Sequence, residues 1–137
     1  MKKICLFVIA LTLFLTGCDN QIYNWSFDYS TEDIQEIKII KFDENEEYTV
    51  IKNIGSELFS QVYSDIQSIE MERYGFNLSH PSGYCFLILY NNNNDYDIIA
   101  KKESKRYRYE NGKQLAYNSW LACDETQFNN IIDQYLK

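Results

Sequence analysis

The residues that could carry acid–base, nucleophilic or metal chemistry are few and scattered. His80 is the only histidine among 137 residues, which excludes a two-histidine metal site. It precedes Pro81, whose ring biases the preceding residue toward extended backbone, so His80 reads as a solvated loop residue. Asp43, Glu44, Glu46 and Glu47 are close in sequence, and clustered carboxylate oxygens can hold a hard cation. They lack the bend glycine and terminal glutamate of an EF-hand loop, and read as a hydrated turn, as do Asn91 to Asp95. No Gly-x-Ser-x-Gly elbow and no glycine-rich phosphate loop occurs. No cofactor and no metal is therefore expected. Cys85 in an apolar run and Cys123 at a helix entrance are either two separate buried thiols or, in an oxidising compartment, a disulfide.

The most concentrated chemical feature is a local reversal of charge. Lys101, Lys102, Lys105, Arg106 and Arg108 fall within eight residues of a chain whose formal net charge is −7. Lysines protect an exposed edge strand from pairing with another sheet, which is one reading. The other is a contact face for a protein partner, since interfaces favour arginine together with aromatics such as Tyr107 and Tyr109. Strand alternation puts Arg106 and Arg108 on one face and the two tyrosines on the other. The arginines are expected to be exposed and reversible in charge without loss of the fold. The acidic balance makes the chain a poor binder of nucleic acid.

The first residues carry a different chemistry. Met1, Lys2 and Lys3 give a positive start, and Ile4 to Thr16 is apolar and uncharged. That run is shorter than the ~20 residues a membrane-spanning helix needs, but it suits the apolar region of a signal peptide. Leu15-Thr16-Gly17-Cys18 resembles the lipobox of bacterial lipoproteins. The resemblance covers residues 1–18 only. It implies lipid on the Cys18 thiol, cleavage before Cys18, and tethering by acyl chains, two or more of which exceed the marginal hold of one. In two-membrane bacteria, Asp19 after the cysteine resembles an inner-membrane retention signal.

Cleavage would remove Lys2 and Lys3, take the formal charge from −7 to −9, and leave 120 of the 137 residues. That length fits one domain, with residues 18–21 as tether and 22–137 as the folded unit. Tyr23, Trp25, Phe27 and Tyr29 alternate with polar residues, which predicts a first strand, or alternatively an aromatic surface at the lipid headgroups. Ile34 to Phe42 and Glu47 to Lys52 predict a hairpin. Leu58, Phe59, Val62, Ile66 and Ile69 recur at helical spacing and predict a helix over 54–69, capped by Asn53. Strand pattern returns from Met71, and the continuously apolar Tyr84 to Tyr90 predicts a strand covered on both faces. Asn111-Gly112 predicts a type I′ turn with Glu110 opposite Lys113. Asp124 and Gln127 form a variant capping box ahead of the stripe Phe128, Ile131, Ile132, Tyr135 and Leu136.

Strands in runs, interrupted and closed by helices, indicate an α+β domain: an antiparallel sheet of short strands with one middle and one C-terminal helix. The functional expectation is a non-enzymatic binding module, anchored on the cell membrane and facing the periplasm or exterior, with an envelope protein as partner. The alternatives are an inhibitor or immunity-type protein of an exported enzyme, and an envelope hydrolase with a motif-free carboxylate site. Cys18→Ala is expected to abolish incorporation of a fatty acid analogue together with normal processing, because the acyl acceptor is gone. Equal labelling of variant and wild type in a metabolic experiment would refute the anchor.

Overall fold

The computed structural model describes residues 22–73, 80–91, 94–122 and 124–137. Eight strands form one open sheet: β1 Ile22–Asn24, β2 Ile34–Phe42, β3 Tyr48–Ile54, β4 Glu70–Arg73, β5 Gly83–Tyr90, β6 Tyr96–Ala100, β7 Ser104–Glu110 and β8 Lys113–Ala122. The spatial order is β1-β4-β8-β7-β6-β5-β2-β3, and every neighbouring pair is antiparallel. Helix α1, Phe59–Ser68, lies between β3 and β4 in sequence, and α2, Glu125–Leu136, ends the chain. The α+β class, the middle helix and the C-terminal helix are as the sequence predicts.

Both helices cover one face of the sheet, because each carries a single apolar stripe. Val62, Tyr63 and Ile66 of α1 and Phe128, Ile131, Ile132 and Tyr135 of α2 pack on Ile37, Ile39, Phe86, Ile88 and Ile99. Each such side chain, fully buried, contributes on the order of 1.5–3 kcal/mol. The alternate residues Ile40, Cys85, Leu87, Ile98 and Ala100 form a second apolar cluster on the opposite face. β5 supplies both clusters, which explains its unbroken apolar run. Two hydrogen bonds fix α2 against α1: Tyr135 Oη donates to Asp65 Oδ2 at 2.6 Å, and Gln127 Nε2 to the Ser68 carbonyl at 2.9 Å.

Local signals hold where short-range chemistry decides the backbone. Asn111 and Gly112 take φ of 50° and 73°, and Glu110 faces Lys113 across the turn. The Asp124 carboxylate accepts the Gln127 N–H at 2.9 Å.

Two expectations fail, both through tertiary contacts. The middle helix does not begin at Ile54 behind an Asn53 cap. Ile54 ends β3 opposite Ile37 and is buried in the core, and a 3-10 turn over Ser56–Leu58 leads into α1. The aromatic alternation forms a strand only over Ile22–Asn24. Beyond it the rings are held by side-chain packing: Trp25 is 1% exposed, Phe27 stacks on Tyr63 at 3.6 Å, and Tyr29 lies 4.4 Å from Tyr90. Buried Trp25 is not free to meet a headgroup layer.

Candidate functional site

The basic segment divides into an inner half and an outer half. β7 lies between β6 and β8, so it is an interior strand and needs no protection of an edge. Arg106 stands opposite Asp97 of β6. Arg106 and Arg108 share a face, as alternation requires, but that face is turned inward. Their side chains are 4% and 14% exposed. The expected exposed arginine pair is thus corrected to a buried one.

Its partners come from three parts of the chain. Arg106 Nε donates to Asp97 Oδ1 at 3.0 Å, Nη1 to Asp28 Oδ1 at 2.6 Å, and Nη2 to the Ser26 carbonyl at 2.5 Å. Its guanidinium lies 4.9 Å over the Trp25 ring. Arg108 Nη2 donates to Asp28 Oδ2 at 3.0 Å, Nε pairs with Asp95 Oδ2 at 3.1 Å, and the guanidinium lies 4.8 Å over Tyr29. Tyrosines complete the shell. Tyr117 Oη donates to Asp28 Oδ2 at 2.5 Å, Tyr29 Oη to Asp95 Oδ2 at 2.6 Å, and Tyr90 Oη to Asp97 Oδ2 at 2.7 Å. The Tyr109 N–H reaches Asp95 Oδ1 at 3.0 Å.

Each carboxylate oxygen of Asp28, Asp95 and Asp97 therefore has a donor. Buried charge is costly unless it is paired and hydrogen-bonded, and this arrangement meets that condition. Burial acts first on Asp28 and would raise its pKa, but the Tyr117 hydroxyl and the two arginines outweigh it and leave the carboxyl below its ordinary value. For fully enclosed Asp97, burial dominates and pushes the carboxyl up, against the pull of Arg106 and Tyr90. Burial works against the charge on Arg106, and Asp97 more than compensates, so the guanidinium stays firmly protonated. The hydrogen bond to Asp95, with burial, lifts the Tyr29 phenol to about 12. Chemically the cluster is a clamp: it binds residues 25–29 to the sheet and leaves no carboxylate oxygen without a donor.

Lys105, on the same interior strand, is also buried, at 7% exposure. The outer half, Lys101 and Lys102, behaves differently. Lys101 pairs with Glu125 of α2 at 2.8 Å and is partly exposed, while Lys102 is exposed. These two lysines border a cleft of about 320 Å³ with Gly83, Tyr84 and Phe128. Tyr84 is 39% exposed, and Lys41 Nζ lies 5.1 Å from its ring centre. Of the sequence-selected basic residues, Lys101 and Lys102 are those the fold leaves available at the surface.

Other candidates are placed as follows. His80 is exposed, with Nε2 3.4 Å from Glu46 Oε2. The acidic turn is organised by Asp43, whose Oδ1 accepts the N–H groups of Asn45 and Glu47. Cys85 is a buried thiol whose pKa burial pushes up to about 12. Cys123, its partner in the disulfide alternative, lies outside the described residues, as does Cys18. Among the described residues no group of His, Cys, Asp and Glu is placed to hold a metal, and no helix is long and apolar enough to cross a membrane.

Sequence reasoning missed Asp28, Asp95, Asp97 and the ring partners Trp25, Tyr29, Tyr90 and Tyr117. One signal was available: Asp97 interrupts an apolar strand and falls opposite Arg106 once β6 and β7 are paired as a hairpin. Comparison with family models, with curated proteins and with solved structures finds no match to this chain.

Two outcomes test the clamp. Arg106→Met strands Asp97 in the interior, and breaking a buried pair in this way costs about 3–5 kcal/mol. Urea denaturation should show that loss, and reversing Arg106 and Arg108 to glutamate should prevent folding. The second outcome concerns pH. A carboxyl depressed in the folded state stabilises above its ordinary value, 3.8 for Asp28, and that stability is lost as pH falls through the lowered value. Quenching of tryptophan fluorescence by acrylamide, to which Trp25 contributes, should rise over that acid range in the wild type. Asp28→Asn should show the higher quenching already at neutral pH.

Proposed function

We propose that this protein is a lipid-anchored, non-enzymatic binding module of the bacterial cell envelope, which meets its partner through the rim formed by Lys101, Lys102 and Tyr84. The anchor rests on the ordered succession of charged start, apolar run and Leu15-Thr16-Gly17-Cys18. The single observation that supports the contact is a lysine pair beside a 39% exposed tyrosine at an open cleft, on a chain of net charge −7. An exposed aromatic next to cations suits a partner with an acidic patch, since complementary potential steers encounter and aromatic area supplies affinity. The buried arginines serve this reading indirectly. They hold residues 25–29, a few positions after the proposed anchor, to the sheet.

The test is recovery of envelope proteins with the full-length lipidated chain, comparing wild type with Lys102→Glu and Tyr84→Ala. Exposed substitutions away from special features change stability by about 0.5 kcal/mol or less, so both variants should melt as the wild type does. The species recovered with the wild type should be lost or reduced. Equal recovery by both folded variants would remove this rim from consideration.

A further inference from the structure

Among the described residues the open sheet has two edge strands, β1 and β3. β1 has three residues, whereas β3 has seven and carries a row of backbone donors and acceptors along its outer side. Natural proteins usually blunt such an edge with charge, proline or a covering loop. β3 carries a single charged residue, Lys52, and presents Tyr48, Val50 and Ile51, exposed by 52%, 43% and 44%. Tyr48 stands edge-on to Phe42 at 5.6 Å, and Thr49 and Ile51 border an open cleft of about 670 Å³ with Lys41 and Phe42.

The charge along this edge is polarised. Glu44, Glu46 and Glu47 lie at its beginning and Lys52 toward its end. Parallel pairing of two such edges sets like charges together, and antiparallel pairing sets opposite charges together. We propose that β3 pairs antiparallel with β3 of a second copy of this chain, about a two-fold axis at Thr49.

In that register Thr49 faces its own counterpart and Val50 faces the second copy's Tyr48. Lys52 meets the second copy's acidic turn at Glu46 and Glu47. A β-branched residue opposite an aromatic is a favourable antiparallel pair. Tyr48 and Val50 lie opposite Phe42 and Ile40 in the β2–β3 register, on the face away from the helices. The pairing register shifts at Ile39/Ile40 and leaves Ile51 as an extra residue, which ends regular pairing and keeps the shared ladder short. Such a contact is weak alone and gains from confinement of both copies on one surface. Two-fold closure consumes both β3 edges, so the assembly stops at two. The proposal goes beyond the Lys102–Tyr84 contact and stands without it; only the gain from confinement rests on the proposed anchor.

Directly opposed residues of antiparallel strands have Cα atoms about 4.5–5.5 Å apart, within reach of a disulfide. The full-length chain with Thr49→Cys should therefore yield a disulfide-linked dimer when the producing cells are oxidised, in whichever fraction, membrane or soluble, the chain is recovered. Asn53→Cys, four positions from the axis, should yield no more than the wild type. Adding Val50→Lys to Thr49→Cys should remove the dimer while the melting temperature is unchanged. Thr49→Cys crosslinking no better than Asn53→Cys would overturn the proposal. So would a linked product whose mass shows another protein, or a dimer that survives Val50→Lys.

Discussion

The pairing of Arg106 with Asp97 constrains the rest of the molecule. A guanidinium enclosed at 4% exposure must have its donors met, and the strand opposite supplies only one carboxylate. The remaining donors reach Asp28 and the Ser26 carbonyl, about eighty residues earlier in the chain. The segment after β1 is thereby drawn across the sheet and Trp25 is fixed beneath the guanidinium. A region that would otherwise be a polar leader becomes part of the core. Neutral aromatic packing could fill the same volume, but a forked cation with two carboxylates also fixes direction and register.

How much of this was legible in the sequence depends on the range of the interaction. The Asn111-Gly112 turn and the Asp124 cap are decided within four residues, and the local pattern suffices. The pairing of Arg106 and Arg108 on one face also follows from strand period alone. Which way that face points does not, because charges are usually exposed and the exception needed Asp28 from a distant segment. The same limit accounts for Ile54. A helix start behind asparagine is sound local chemistry, yet the core position opposite Ile37 outweighs it. The aromatic alternation from Tyr23 predicted a strand, but beyond Asn24 the rings of Phe27 and Tyr29 pack on Tyr63 and Tyr90 rather than in a strand ladder.

The division of the basic segment shows how a strand and the turn before it can serve two purposes. The arginines of β7 stabilise the interior, and Lys101 and Lys102 in the preceding turn remain at a surface cleft with Tyr84. The change happens at the turn between β6 and β7, where Glu103 adopts φ of 64° and Ser104 closes the corner by bonding both backbone groups of Ala100. Sequence proximity alone would group all five cations together. The fold separates them by burial, and with that by role.

Cys85 carries a consequence for the order of events during maturation. At about 12 against an ordinary 9.0, its folded thiol holds on the order of a thousandfold less thiolate, and thiolate is the species that attacks other sulfurs. Once β5 is in place, Cys85 is fully buried, and burial both lowers its thiolate share and shields it from oxidants and mixed disulfides. A bridge to another cysteine is therefore made more readily while the chain is still open. Completion of the sheet closes that interval, whichever oxidation state Cys85 then has.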